Sequence, residues 1–344
     1  RHKQPITAHS MQPYSYKITL IVFFLLFMAT LCVTPMIGST RINLMNALSG
    51  GVHANNNLDA NILFQVRLPR ILLGALAGAA LSVAGAIFQA LLRNDLAAPF
   101  TLGVSSGAAL GAVIAIVFNL NMIILGFPMV ALFSFLGALG AVFLVFSLVR
   151  TRHGEFPTGI LLLAGVTANF FFAAMVMFLH YISDFSQSFR ILRWLMGGLD
   201  ITDYQTVFSI APMVFLGIGL LGYVSRDLNL ISTGIHSATS RGVNVPRIQK
   251  IGFITASLIT GTVVSITGPI GFVGLIVPHT VRLIVGSDLR ILIPASMLFG
   301  ASFLVACDTL ARMLLAPTEI PVGIITAILG GPFFVWLLKR KRQI

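Results

Sequence analysis

Acidic side chains are scarce in this chain: Asp and Glu together number 10. No pair of them falls at the middle of an apolar run, where an ion-coupled carrier often keeps a carboxylate. Cysteine is rarer still. Cys32 and Cys307 are the only two, both inside apolar runs, which excludes a disulfide framework and any cysteine metal motif; they read as small buried hydrophobes. There is no Walker A loop and no HExxH helix, so the chain supplies neither a nucleotide site nor a zinc site of its own. His180 and His279 stand singly near the ends of apolar runs, where a lone histidine is more often a hydrogen-bonded structural residue than a ligand. With no catalytic constellation at one depth, a membrane enzyme is the poorest reading. No cofactor and no metal are expected on this chain.

What the chain has is apolar length. Hydrophobic residues make up 57% and charged residues 9%, where a soluble domain carries about 25% charged residues. A helix needs about 20 residues to cross a bilayer. Runs of spanning or near-spanning length fall at 18–37, 68–92, 100–118, 123–149, 158–180, 204–224, 250–267, 270–285, 291–311 and 320–338. The expectation is an all-α polytopic membrane protein of about ten transmembrane helices, with residues 1–17 as a cytoplasmic tail and 18–344 as a single transmembrane domain.

The net charge of +12 does not point to nucleic acid, because no basic stripe is interleaved with exposed aromatics. Instead the basic residues sit in short pieces beside the apolar runs. With both termini in the cytoplasm, sixteen of the 22 Lys and Arg residues fall inside, the bias expected of a protein of the inner, or cell, membrane. The six outside are all arginine: Arg41, Arg67, Arg70, Arg190, Arg193 and Arg312. Arginine is the better bidentate partner for carboxylates. Snorkelling or an intrachain pair such as Asp308 with Arg312 is one reading of this face; a docking surface for an acidic partner is the other.

Two pieces are too polar to cross. Residues 183–203 contain a short amphipathic stretch, read as a periplasmic surface helix at 186–198 ending near Gly197 and Gly198. Residues 225–249 form the longest inside loop, read as two short helices broken around Gly234 and Gly242, and as a contact site for a partner. Small residues are dense in 74–86 and 103–112, a close-packing signal between helices. A third piece, "RNDLAAPFTLGVSSG" (93–107), is a polar turn that Pro99 keeps from being helical throughout.

Four stretches taken together resemble one family. "RLPRILLGALAGAALSVAGAIFQALLRNDLAAPFTLGVSSGAALGA" (67–112), "LRWLMGGL" (192–199), "GPIGFVGLIVPHTVR" (268–282) and "EIPVGIITAILGGPFFVWLLKR" (319–340) look like the FecCD-type permease subunits of iron-siderophore, haem and cobalamin ABC importers, a family that includes the vitamin B12 importer permease. The resemblance implies a type II importer permease fold, a homodimer around a central pathway, two cytoplasmic ATP-binding subunits carrying ATP and Mg, and a periplasmic or lipid-anchored binding protein. It implies that Asn94 and Leu96 in the first cytoplasmic turn, with Thr158 and Gly159 in the second, form the cytoplasmic gate; the family's usual Asn-Pro-Leu reads Asn94-Asp95-Leu96 here. It implies that Arg67, Arg70 and Arg312 pair with glutamates of the binding protein. It places ATPase coupling at Gly234, His236, Ala238, Arg241 and Gly242, although the family's usual acidic residue is absent and His236 occupies that region. The pathway is expected along the runs at 100–118, 158–180, 270–285 and 320–338. The rival reading is a secondary carrier, ion-coupled or facilitative, with no ATPase partners.

Overall fold

A long helix crowded with small residues is also the most buried of the spanning helices. In this computed structural model, which describes residues 13–38, 40, 42–49, 58–124, 126–149, 158–200 and 203–341, the helix Leu68–Leu92 buries almost every side chain inside the protein. Gly78 faces the carbonyl of Gly300 and Gly85 faces that of Gly274, each so closely that a Cβ would overlap the neighbouring backbone. Van der Waals contact between backbones replaces the interdigitation of larger side chains. Ser82 donates to the carbonyl of Ser296 at 2.7 Å and adds a polar tie at the same crossing.

The spans, numbered in chain order, are α1 (Pro13–Val33), α2 (Leu68–Leu92), α3 (Val104–Val117), α4 (Met129–Val149), α5 (Thr158–Tyr181), α6 (Tyr204–Tyr223), α7 (Val245–Thr267), α8 (Val273–Val285), α9 (Leu289–Leu314) and α10 (Val322–Lys341). Seven are long and apolar enough to cross a membrane; α3, α8 and α10 are shorter apolar helices. The protein is a multi-pass, all-α membrane protein, and each expected run maps onto one of these helices. Around α2 pack α6, α7, α8 and α9, with α1 laid against α9. A second group, α3, α4 and α5, is held by another small-residue crossing, Gly107 against Gly137 and Gly111 against Phe133. The helix α7 touches both groups.

The boundaries differ from the expectation where local chemistry overrides apolar length. The chain turns helical at Pro13, inside the stretch expected as a tail; residues 1–12 lie outside the described residues. The run at 123–149 opens with a tight antiparallel ribbon, Ile123–Ile124 against Phe127–Pro128, because Gly126 sits at φ +83°. The inside loop is shorter than 225–249: Asn244 accepts a hydrogen bond from the Arg247 amide, Pro246 occupies the first turn, and α7 starts at Val245. Ahead of α2, the helix Leu58–Asn61 runs into a π-helical turn, Ile62–Arg67, an irregularity that apolar periodicity does not signal.

Candidate functional site

At one end of the bundle α2 terminates with Arg93 in the left-handed conformation, φ +48°. This end cap folds the chain back. The Asn94 amide donates to the Gln89 carbonyl at 3.2 Å, and the Leu96 amide donates to the Asn94 side-chain oxygen at 3.0 Å, an Asx turn. Asn94 is half-buried and Leu96 is 43% exposed, so the turn presents an apolar side chain beside a polar one. The 3₁₀ turn Pro99–Leu102 follows. Residues 103–107 spell G-x-S-x-G, the string of a hydrolase nucleophile elbow, which the reading of the sequence as free of catalytic motifs passed over. Here it opens a helix after a 3₁₀ turn rather than after a strand, and Ser105 is buried; the glycines serve packing.

Thr158 and Gly159 open α5, and Gly159 is exposed, with open space where a Cβ would stand. Residues 150–157, which precede them, lie outside the described residues. The two expected gate segments are joined through the 3₁₀ turn. Its Thr101 and Leu102 backbone rests on Gly165, and Asn169 donates to the Phe100 carbonyl at 2.8 Å while accepting from Ser106 at 2.7 Å.

The expected coupling segment is a helical hairpin, Ser225–Thr233 and Ile235–Ser240, broken at Gly234. Ala238 is buried with Ile231 and Val245 in a small core of its own. His236, Arg241 and Gly242 are exposed at the tip, and Gly242 holds φ +82° in open space. The hairpin is not a free loop. Asn229 donates to Asp288 at 2.7 Å and accepts from the Leu289 amide at 2.9 Å, which pins it to the start of α9. The side chain of Arg290, followed by its amide and the Asn229 amide, holds the Asp288 carboxyl below the usual carboxylate range. Sequence reasoning missed Asn229, Asp288 and Arg282; no spacing signals pairs that lie so far apart in sequence.

At the opposite end, the three arginines expected to dock a partner lie inside the protein. Arg67, Arg70 and Arg312 are 3%, 6% and 5% exposed. Arg67 donates to the carbonyls of Pro35 at 2.6 Å and Thr40 at 2.5 Å, satisfying the chain where it leaves α1. Arg70 forks onto Asp308, with N–O distances of 2.9 to 3.2 Å, and reaches Glu319 at 2.6 Å. Arg312 stands 3.2 Å from Asp308 on the same helix, the i, i+4 pair expected from the sequence. The surface of this end is carried instead by Arg193, Asp200 and Glu319, exposed at 64%, 48% and 42% of their side chains, with Arg193 and Asp200 paired at 3.0 Å.

The surface helix, expected at 186–198, runs over Phe185–Leu195. It is capped by a reciprocal box: the Gln187 amide donates to Asp184 at 2.8 Å and the Asp184 amide donates to the Gln187 side chain at 3.2 Å. Ile191 is fully buried beneath it, and Gly197, at φ +69°, turns the chain against Pro269. The Gln187 amide, with the Ser186 hydroxyl, holds the Asp184 carboxyl below its ordinary range. A depressed value means the cap is complete above the unfolded carboxylate pKa of about 4 and is lost as pH falls through the lower, folded value. The Gln187 amide is therefore expected to keep its hydrogen-exchange protection at neutral pH and to lose it only below about pH 4; loss near pH 6 would show that Asp184 is not the cap.

Between this helix, α3 and α5 lies a cavity of about 590 Å³ whose wall is apolar but for Ser106, His180 and Tyr181. Among the described residues, no group of three or more His, Cys, Asp or Glu side chains could hold a metal ion. The cavity can pass or shelter a bulky apolar surface and offers few groups that would hold it.

The profile of the FecCD transport family matches residues 24–340. The hemin transport system permease protein HmuU of Yersinia pestis is 40% identical over 330 residues, covering 92% of this chain and 95% of that protein. The cobalamin import system permease protein BtuC of Halobacterium salinarum is 44% identical over 280 residues, covering 81% and 74%. A solved structure described as an inward-facing conformation of a metal-chelate type ABC transporter superposes with a TM-score of 0.80 at 32% identity, covering 94% of this chain and 99% of that one.

Proposed function

The chain belongs to the FecCD transport family, a family of ABC permease subunits that are transport components rather than enzymes, and from that premise we propose that it is the membrane permease of a binding-protein-dependent importer moving a metal chelate (iron-siderophore, haem or cobalamin) across the inner membrane. Two copies form the pathway, and ATP is hydrolysed on two partner subunits at the cytoplasmic face. The observation that carries this reading is the end-to-end match: the family profile runs over residues 24–340, from within α1 to within α10, not over one motif. The positive charge bias supports placing both termini and the hairpin 225–240 in the cytoplasm.

In this reading a loaded binding protein docks at the Arg193, Asp200 and Glu319 end. Arg70 and Arg312 take part only if a partner carboxylate displaces one of their intrachain acids; displacing Glu319 from Arg70 is the accessible exchange, since that acid reaches water. ATP-driven closure of the ATPase subunits pushes on the hairpin, and Asn94, Leu96, Thr158 and Gly159 open or close the inner end, so access alternates. The apolar cavity at α3 and α5 supports a bulky chelate passed along a weakly interacting wall, since a naked ion would need oxygen or imidazole ligands.

Native mass spectrometry of the protein drawn gently from its own membrane tests the reading. Two copies carrying two ATP-binding subunits is the expected result, and a retained small molecule would name the chelate. A bare monomer or dimer, under conditions that keep known ABC importers whole, would overturn it in favour of a secondary carrier.

A further inference from the structure

The turn at 93–96 joins α2 to α8 and to the hairpin through polar side chains. Arg93 donates to the carbonyl of Ile231 on the hairpin's first helix. Asp95 accepts from Arg282 of α8 at 2.7 Å, in a pair with 35% and 18% of the two side chains exposed. The hairpin's first helix is itself pinned to α9 by Asn229. Arg93 adopts a positive φ that costs a residue with a Cβ energy and persists only where surrounding contacts hold it. The Ile231 carbonyl is such a contact, because Ile231 is buried and anchored in the hairpin's core. Asp95 extends the turn the other way, through a partly desolvated charge pair stronger than a surface one.

We infer that Arg93 and Asp95 are positioning residues that tether the turn 93–96 to the hairpin and to α8, so that a displacement of Ser225–Thr233 is transmitted to Asn94 and Leu96. The tether deepens the importer reading by naming how the partner-facing hairpin regulates the inner gate. A turn held only by its own Asx bond would be free to stay behind when the hairpin moves. A turn held to the hairpin by Arg93 is carried with it, and Asp95 brings that displacement to bear on α8.

The test is hydrogen exchange of the full-length chain in lipid nanodiscs, read at the Leu96 and Ala97 amides, which close the turn onto Asn94. Arg93→Gly removes the guanidinium yet keeps a residue at ease at positive φ, and is expected to speed exchange at both amides at least tenfold. Asn229→Ala, a change on the hairpin that removes its side-chain hydrogen bonds to the start of α9, is expected to speed them in the wild-type background and to add nothing in the Arg93→Gly background. Asp95→Asn is expected to speed them as well, and the swap Asp95→Arg with Arg282→Asp to restore most of the protection. Additive effects of Asn229→Ala and Arg93→Gly, or rates within twofold of wild type, would overturn the tether. None of these readings needs transport, so an absence of ATP-driven import by the wild type would count against the importer reading and leave the exchange result standing.

Discussion

Replacing Asp308 with alanine is expected to destabilise the fold by about 3–5 kcal/mol, the range for removing one partner of a buried ion pair. The cause is what remains. Arg70 and Arg312, with 7% and 5% of their side chains exposed, would both keep their charge with no carboxylate between them, and Arg67 lies close enough to Arg312 to feel its charge. Glu319 would still meet Arg70, but it is 42% exposed and its attraction is screened by water. A lowered unfolding midpoint of purified protein in detergent is the readout, with a drop on the order of 10 °C expected. Asp308→Asn keeps the volume and loses the charge, so it should show most of the same loss. The neutral triple Arg70→Met, Asp308→Leu and Arg312→Met should recover most of it, since apolar packing replaces a buried ionic cluster at little cost. A triple variant as unstable as Asp308→Ala would show that shape, not charge balance, holds these helices together.

That cluster marks the boundary of what the sequence could disclose. The i, i+4 spacing of Asp308 and Arg312 is legible on one helix, and so was the all-arginine composition of this end. The fork from Arg70 to Asp308 joins residues 238 positions apart, and no local pattern reports it. The charge count placed these arginines at the outer end and left intrachain pairing or docking open, and the family resemblance favoured docking; Arg67, Arg70 and Arg312 are buried there in intrachain contacts. The spans were legible because apolar length and the breaks at Pro99, Gly103, Gly268 and Gly286 are local. Their ends were not, because Asn244, Asp203 and Asp288 set the starts of α7, α6 and α9 through side-chain caps. Of the candidate gate, Asn94 and Leu96 were legible as a turn, while Asp95 was legible only as an oddity; its partner Arg282 emerges from the packing of α8 on α2.

The second large effect is expected from a single methyl group. Gly85→Ala would place a Cβ on the carbonyl of Gly274, which belongs to the backbone of α8 and cannot rotate away. Overpacking of this kind costs about 1–3 kcal/mol when side chains can yield, and more when backbones must part. Gly78→Ala meets the Gly300 carbonyl of α9 in the same way. Gly140→Ala on α4, where nothing lies within 4 Å, is the control; alanine is the better helix former by about 0.5–1 kcal/mol, so this variant should be neutral or more stable. The yield of monodisperse protein and its unfolding midpoint separate the three, and a Gly85→Ala protein as stable as Gly140→Ala would show that α2 and α8 are not in backbone contact. The expected pattern bears on transport as well as folding. Backbone contact at Gly78 and Gly85 packs α2 tightly against α8 and α9, and Gly107 against Gly137 does the same for α3 and α4, so these helices are expected to move together. A change of access then has to occur between these units, along α7 and the 3₁₀ turn that rests on α5. The turn 93–96 stands at the start of that seam, where a push from the hairpin meets little packed surface that must be broken first.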